Sequence, residues 1–171
     1  MPCIQRQALV PFTPQAMFDL VADVERYPKF LPWCGSIEIL RLRDNGVDAR
    51  LHLRFKGIQQ SFSTRNHHQP PGLIRIELLD GPFERLEGAW HFDAIGATST
   101  RRDGPLGDQL QGTKVSLRLD YQMKSGLLAK LFSPAFDIVA GQMMDAFLAR
   151  ADQVYKKGHE TSGTSSFDAA G

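Results

Sequence analysis

The spacing of apolar residues changes once along this chain, and that change constrains the fold more than any other feature. From Cys34 to about Met123, apolar and polar residues alternate in short runs, the pattern of strands with one wet face. Beyond Ser125, apolar residues recur at steps of three, four or seven up to about residue 156, which indicates a helix with a broad apolar face. Only that helix is long enough to cover the apolar face of a sheet. The chain is therefore predicted to be α+β, with a curved antiparallel sheet wrapped around a long C-terminal helix.

The strands follow from the alternation. Residues 47–55, VDARLHLRF, alternate strictly, whereas the preceding SIEILRLR slips out of phase near Ile39, which predicts a bulge there. The turn Asp44-Asn45-Gly46 joins these two runs into a hairpin. Four more alternating runs span residues 58–68, 73–79, 85–95 and 114–123, and residues 3–10 are predicted to form an opening strand. The predicted sheet therefore has six or seven strands.

Proline positions set the predicted helix limits. Thr13 is a plausible N-cap with Pro14 at the first helical position, and a helix of about three turns should follow. Pro28 and Pro32 disfavour the α region for the residues before them, so at most one short helical turn is expected between residues 24 and 34. Pro134 should interrupt the C-terminal helix, leaving a short piece near residues 127–132, capped by Ser125, and a long one from about 135 to 156.

The 171 residues suit one domain, predicted to span residues 1–157. Residues 96–112 form a long, glycine-rich and polar connection that is predicted to be mobile. Residues 158–171 have little to bury and are predicted to be disordered.

Charge and cysteine content narrow the function. Lys and Arg number 20 against 19 Asp and Glu, so nucleic acid is disfavoured as the principal partner and no DNA binding is expected. Cys3 and Cys34 lie in no metal-binding pattern and are too few for a disulfide scaffold. No run of 18 apolar residues occurs. We expect a cytoplasmic protein, with a peripheral position at the inner face of the membrane as an additional expectation.

The segment VERYPKFLPWC, residues 24–34, concentrates aromatic and aliphatic side chains between two prolines. Tyr27, Phe30 and Trp33 could seal one end of the core, as aromatic anchors often do. Phe30, Leu31 and Trp33 could instead form the lip of a cavity, held by a rigid backbone. The local chemistry leaves both interpretations open.

Other candidate features of the sequence also have both a functional and a structural interpretation. Gly88 lies on the same strand face as Leu86 and Trp90, where a missing side chain could leave room for a ligand or mark a bend. His67 and His68 are adjacent and should point to opposite faces, so no metal site is expected. No nucleophile with a neighbouring base is visible beside Glu84 and Glu87, and catalysis is not expected.

Three segments carry a resemblance to a known family: ADVERYPKFLPWC at 22–34, GPFERLEGAWHF at 81–92 and LDYQM at 119–123. They resemble the coenzyme Q-binding family of START-like, helix-grip proteins, of the polyketide cyclase and lipid transport type, which also includes the RatA-type ribosome association toxins. The resemblance covers about residues 3–155. It implies the helix-grip fold and a hydrophobic tunnel that holds ubiquinone or a similar isoprenoid lipid, supporting respiratory electron transport without a catalytic cofactor. The alternative is a RatA-like toxin that inhibits ribosomal subunit association, and a cyclase-like enzyme is the remaining option.

The ligand site expected from this resemblance lies between the sheet and the last helix. Gln60 and Thr64, beside Phe62, are candidates to meet a quinone headgroup. The cavity and its rim are predicted to comprise Tyr27, Pro28, Phe30, Leu31, Pro32, Trp33, Phe55, Phe62, Phe83, Leu86, Gly88, Trp90, Phe92, Phe136, Val139, Met143 and Phe147.

Overall fold

The computed structural model describes residues 3–96, 112–124 and 126–156. Most of the connection predicted to be mobile, the tail from 158 and the proposed cap Ser125 lie outside these ranges. The three α-helices are α1 (Pro14–Ala22), α2 (Tyr27–Phe30) and α3 (Leu127–Ala151). The strands are β1 (Cys3–Val10), β2 (Cys34–Arg43), β3 (Gly46–Phe55), β4 (Ile58–Gln69), β5 (Leu73–Asp80), β6 (Phe83–Ile95) and β7 (Gly112–Met123).

The seven strands form one sheet in the order β1-β7-β6-β5-β4-β3-β2, and every neighbouring pair is antiparallel. The long helix α3 packs against the apolar face of this sheet, so the predicted α+β helix-grip architecture is confirmed. Within the described ranges, no helix is both long and apolar enough to cross a lipid bilayer.

The predicted hairpin and bulge are confirmed. The turn between β2 and β3 is followed by Gly46, where a Cβ atom would lie only 2.0 Å from the backbone oxygen of Asn66 in β4. Only glycine fits that close approach. The register between β2 and β3 shifts between Ile39 and Arg41, as expected from the break in alternation.

The prediction that Pro134 interrupts the last helix is wrong. Helix α3 runs without a break through Pro134, and a π-helical turn (Asp152–Lys156) follows it. Phe132 and Phe136, on either side of the proline, are both buried and both contact the ring of Phe83. Aromatic packing on both sides of Pro134 therefore outweighs the one backbone hydrogen bond that the proline removes.

The backbone of the aromatic segment also differs from the prediction. A 3-10 turn (Val24–Arg26) leads directly into α2, so two short helical turns follow one another. Tyr27 adopts the α region (φ −53°, ψ −42°) although Pro28 follows it. Pro28 lies in the first turn of α2, where a backbone N–H is not needed. Leu31, before Pro32, is extended as predicted.

A buried carboxylate ties three strands together on the opposite face of the sheet. Asp48 of β3 is 5% exposed and accepts paired hydrogen bonds from Arg43 of β2 and Arg65 of β4, at 3.0–3.2 Å. The hydrogen bonds from the two guanidinium groups lower the pKa of Asp48 to about 2. This carboxylate stays ionised at neutral pH, and the stabilisation it provides is lost only as the pH falls from about 4 towards 2.

Candidate functional site

A cavity lies between the sheet and α3. The space open to the centre of a water-sized sphere is about 70 Å³, whereas one water molecule needs roughly 10–15 Å³ by this measure. The cavity is therefore large enough for a few small groups without any rearrangement. Its walls are Val21, Val24, Tyr27, Trp33, Leu51, Leu53, Phe62, Thr64, Asn66, Ile74, Ile76, Leu86, Trp90, Leu119, Phe136, Val139 and Met143.

Eight of the seventeen residues predicted for the cavity and its rim line this cavity. Three of them, Phe62, Leu86 and Trp90, lie on the inward faces of their strands, as the period-two pattern predicted. Another three, Phe136, Val139 and Met143, lie on the inward face of α3, as the helical pattern predicted. The aromatic segment contributes Tyr27 and Trp33. Met143 is only half-buried. Its unbranched side chain can adapt if a larger ligand enters.

The remaining predicted residues do not line the cavity. Phe83 and Phe92 are buried in the core around it, and Phe92 stacks on Trp90 with ring centroids 6.3 Å apart. Phe55 lies half-buried at the end of β3 with Lys56 over its ring. Pro28 is half-buried and Pro32 is exposed.

The aromatic segment combines a seal with part of the cavity wall. Leu31 is fully buried and Trp33 is only 3% exposed, so neither forms a solvent-facing lip. Phe147 of α3, at 1% exposed, packs edge-on against Tyr27 and Phe30 with ring centroids 5.2 and 5.3 Å apart. The segment therefore closes one end of the core, and its Tyr27 and Trp33 face the cavity from that end.

The glycine at position 88 is explained by its close contact with the neighbouring strand, which the alternation did not reveal. A Cβ atom there would lie 2.6 Å from the backbone oxygen of Arg118 and 2.8 Å from a methyl group of Leu119, both in β7. The glycine thus permits β6 and β7 to approach closely. Room for a ligand is not needed to explain it.

Two polar side chains of β4 interrupt the apolar wall. Thr64 and Asn66 are 4% and 8% exposed, and the Thr64 hydroxyl donates to Asn66 Oδ1 at 3.2 Å. The Asn66 amide also carries two N–H donors, which can bond a hydrogen-bond acceptor on a ligand. Thr64 was predicted to face the ligand, whereas Gln60 is half-buried outside the lining. Asn66 was missed, although it shares the phase of Phe62 and Thr64.

The electrostatics of the cavity are those of an apolar site. Among the described residues, none with a charged side chain lines it. Burial raises the pKa of the Tyr27 hydroxyl, which donates to the backbone oxygen of Val21. Burial likewise raises the pKa of the nearby Cys34 thiol to about 11, so it stays protonated. This arrangement suits the binding of an apolar molecule with a hydrogen-bond acceptor.

The histidine pair and the glutamates stand apart from the cavity. His67 bonds Glu77 at 2.8 Å, while the ring of His68 packs edge-on against Phe18, so the two histidines point to opposite faces. Within the described ranges, no cluster of three or more metal-ligating side chains occurs. Glu84 and Glu87 are exposed.

The sheet opens beside the cavity. Pairing between β5 and β6 ends at Glu77 and Glu87, while β5 continues along β4 to Asp80 and β6 begins along β7 at Phe83. A surface hollow of about 710 Å³ lies beside this split, on the face of the sheet that points away from α3. Its walls include Ile76 and Leu86, which also line the cavity.

Sequence relatives cover nearly the whole chain. A protein of Pseudomonas aeruginosa described as a ribosome association toxin RatA is 37% identical over 152 residues, covering 89% of this chain and 96% of that protein. The protein of that name in Escherichia coli K12 is 34% identical over 91% of this chain and 90% of its own length. A mitochondrial coenzyme Q-binding protein homologue of Xenopus laevis is 29% identical over 84% of this chain and 55% of that protein.

Solved structures and a family model agree with the fold. An 18 kDa protein of Caulobacter crescentus is 31% identical with a TM-score of 0.64, covering 91% of this chain and 99% of that one. Two more distant structures share the fold. One is a START superfamily protein of Mycobacterium smegmatis, 17% identical with a TM-score of 0.68, covering 89% of this chain and 98% of that one. The other is an aromatase/cyclase of Streptomyces sp. R1128, 16% identical with a TM-score of 0.72, covering 89% of this chain and 94% of that one. The model described as polyketide cyclase / dehydrase and lipid transport matches residues 10–148. The chain belongs to this START-like family.

Proposed function

We propose that this protein binds a hydrophobic molecule with a carbonyl-bearing end, of the isoprenoid quinone class that includes ubiquinone, and that it does so without catalysis in support of respiratory electron transport. The observation that carries the proposal is the apolar cavity interrupted by Thr64 and Asn66. The N–H groups of the Asn66 amide suit a carbonyl acceptor. The name of the Xenopus relative points to the same ligand class.

The size of the cavity sets how such a ligand would bind. A space of about 70 Å³ suits part of a headgroup, so a long isoprenoid chain has to displace side chains or extend outwards. The hollow beside the split between β5 and β6 shares two wall residues, Ile76 and Leu86, with the cavity, so the chain can extend outwards there. Each CH2 group removed from water contributes about 0.8 kcal/mol, so even partial burial of the chain favours binding.

A non-enzymatic role is supported by two observations. The three sequence relatives described above carry names that refer to ribosome association or to coenzyme Q binding. The aromatase/cyclase structure is only 16% identical and therefore speaks for the fold alone.

An apolar double variant of the cavity tests the proposal. Replacing both partners, Thr64→Val with Asn66→Leu, removes the polar pair without leaving either group unsatisfied, so the fold should be retained. We expect affinity for a short-chain ubiquinone to fall about tenfold, the loss of roughly one hydrogen bond. Affinity for the matching isoprenoid hydrocarbon without ring carbonyls should stay the same or rise.

The measurement is a fluorescence or calorimetric titration of both ligands, together with mass spectrometry of lipids that co-purify with the wild type. An equal loss of affinity for the quinone and for the hydrocarbon would show that Thr64 and Asn66 contribute only to packing. A wild-type protein that is empty on purification and takes up no added quinone would refute the proposed ligand class.

A second candidate function is supported by the sequence relatives. The proteins described as ribosome association toxins are 30–37% identical over 89–91% of this chain. Both the identity and the coverage are higher than for the coenzyme Q-binding relative, which is 29% identical over 84% of this chain. The near-neutral charge, +1, gives little general attraction to RNA phosphates.

Sucrose gradients after overexpression test this candidate. Fewer joined ribosomes, together with salt-sensitive migration of the protein with the subunits, would support it. Unchanged profiles would reject it. The cavity double variant should behave as wild type there, because its changes are buried.

A further inference from the structure

Helix α3 exposes an apolar stripe on the side that faces away from the cavity. Leu127, Leu131 and Ile138 are 75%, 58% and 41% exposed, and Pro134 is exposed between them. At 3.6 residues per turn these four side chains lie within an arc of about 60° and span about 16 Å of the helix. Large apolar side chains gathered in this way on a solvent-facing stripe mark an interaction site. We call them the α3 stripe.

The α3 stripe lies close to the cavity and to the split in the sheet. Phe136 and Val139, on the other side of the same helical turns, line the cavity. The residues that lead into α3 are held against the β5–β6 turn, where the Lys124 N–H donates to the Pro82 oxygen at 2.9 Å. Leu79, close to that turn, is 38% exposed. The β5–β6 turn, next to the split, and the beginning of the exposed apolar stripe thus lie at the same end of the molecule.

The charges around the α3 stripe indicate what it meets. Lys124 and Lys130 are exposed at the beginning of the helix, where they can contact anionic headgroups. Asp137 lies to one side, and Asp145 is in line with the stripe farther along the helix, both exposed. The basic end can therefore approach an anionic surface, while the acidic residues limit the contact to the first three turns or so of α3.

The extent of the α3 stripe argues against a stable protein partner. The stripe and Leu79 together comprise five side chains, whereas a stable interface takes roughly 20–30 residues from each partner. A bilayer, in contrast, accepts apolar side chains without requiring a complementary shape. Trp33, an aromatic residue suited to membrane interfaces, is only 3% exposed and is not accessible for this purpose.

We propose that the first half of α3 docks on an anionic lipid surface by inserting the α3 stripe between the headgroups, with Lys124 and Lys130 contacting lipid phosphates. Docking brings α3, which forms one wall of the cavity, to the bilayer, where isoprenoid lipids reside. The docking itself needs no ligand in the cavity, whereas its role in ligand exchange rests on the proposed function.

Co-sedimentation with vesicles tests the α3 stripe. The full chain is mixed with vesicles of phosphatidylglycerol and phosphatidylethanolamine, or of phosphatidylcholine alone. We expect the wild type to bind the anionic vesicles in a salt-sensitive way and more strongly than phosphatidylcholine. The double variant Leu127→Gln/Leu131→Gln, which keeps similar helix propensity, should bind at least about tenfold more weakly because it loses the inserted apolar area.

The matched control is Leu9→Gln/Leu42→Gln, which changes leucines that are 71% and 76% exposed on the two edge strands. It should bind vesicles as the wild type does. Equal losses for both double variants, or no vesicle binding by the wild type, would overturn the proposal. A stripe variant that changes only the oligomeric state, measured by analytical ultracentrifugation, would assign the stripe to a second copy of the chain and also overturn it.

The failure of docking and the failure of ligand binding are distinguishable. The Thr64→Val/Asn66→Leu variant should retain vesicle binding, and the stripe variant should retain the affinity for short-chain quinone in solution. Loss of vesicle binding in the cavity variant would contradict independent docking.

Discussion

Replacing Phe147 by alanine is expected to lower the free energy of unfolding by about 3–5 kcal/mol, the usual cost of truncating a buried phenylalanine. The side chain is 1% exposed and packs edge-on against Tyr27, Phe30 and Trp90 at 5.2–5.3 Å. These contacts join α2, β6 and α3. The measurement is urea unfolding at equilibrium, followed by circular dichroism.

Leu131→Ala on the same helix is the control for Phe147→Ala. Leu131 is 58% exposed, so its truncation should change the free energy of unfolding by no more than about 0.5 kcal/mol. Tryptophan emission supplies a second observation, because Trp33 and Trp90 are both buried. It should shift to longer wavelength in Phe147→Ala if the aromatic segment loosens from α3. Similar stabilities for the two variants would show that Phe147 does not hold this segment.

Introducing a single methyl group at Gly88 is expected to destabilise the protein by about 1–3 kcal/mol or more, as overpacking does. In Gly88→Ala the new Cβ would lie 2.6 Å from the backbone oxygen of Arg118, and a backbone atom cannot move aside as a side chain can. The strands β6 and β7 must then separate. Thermal and urea unfolding measure this effect.

Gly35→Ala is the matched control for Gly88→Ala, since Gly35 also lies in a strand. A Cβ there would meet its nearest neighbour, the His52 oxygen, at an ordinary 3.5 Å. Replacing it should be neutral or stabilising by about 0.5 kcal/mol, because alanine loses less backbone entropy than glycine. A Gly88→Ala protein of normal stability that binds less quinone would instead restore the interpretation that Gly88 leaves room for the ligand.

Much of the fold was predictable because it depends on local periodicity. Alternation identified the strands, and its break at Ile39 identified the bulge. The same phase brought Phe62, Leu86 and Trp90 to the inward face, where they line the cavity. The C-terminal helix was predicted, but its continuity was not, because the effect of Pro134 depends on the packing of Phe132 and Phe136 against Phe83.

The candidate site was predictable only in part. Alternation places Asn66 inward, but it does not say that a cavity rather than a packed side chain lies in front of it. The aromatic segment allowed a seal or a rim, and the contacts of Phe147 with Tyr27 and Phe30 decided that it closes the core at one end.

By itself, the sequence determined the α+β architecture, the inward faces of the strands and helix, and the family, since these are written in residue spacing and short motifs. Only the tertiary structure decided where the cavity lies, why position 88 is glycine and which apolar side chains remain in solvent. The physical reason is that these features depend on contacts between distant residues. Both sides of α3 carry large apolar side chains, Leu131 on one and Phe136 on the other, and only the position of the sheet makes one exposed and the other buried.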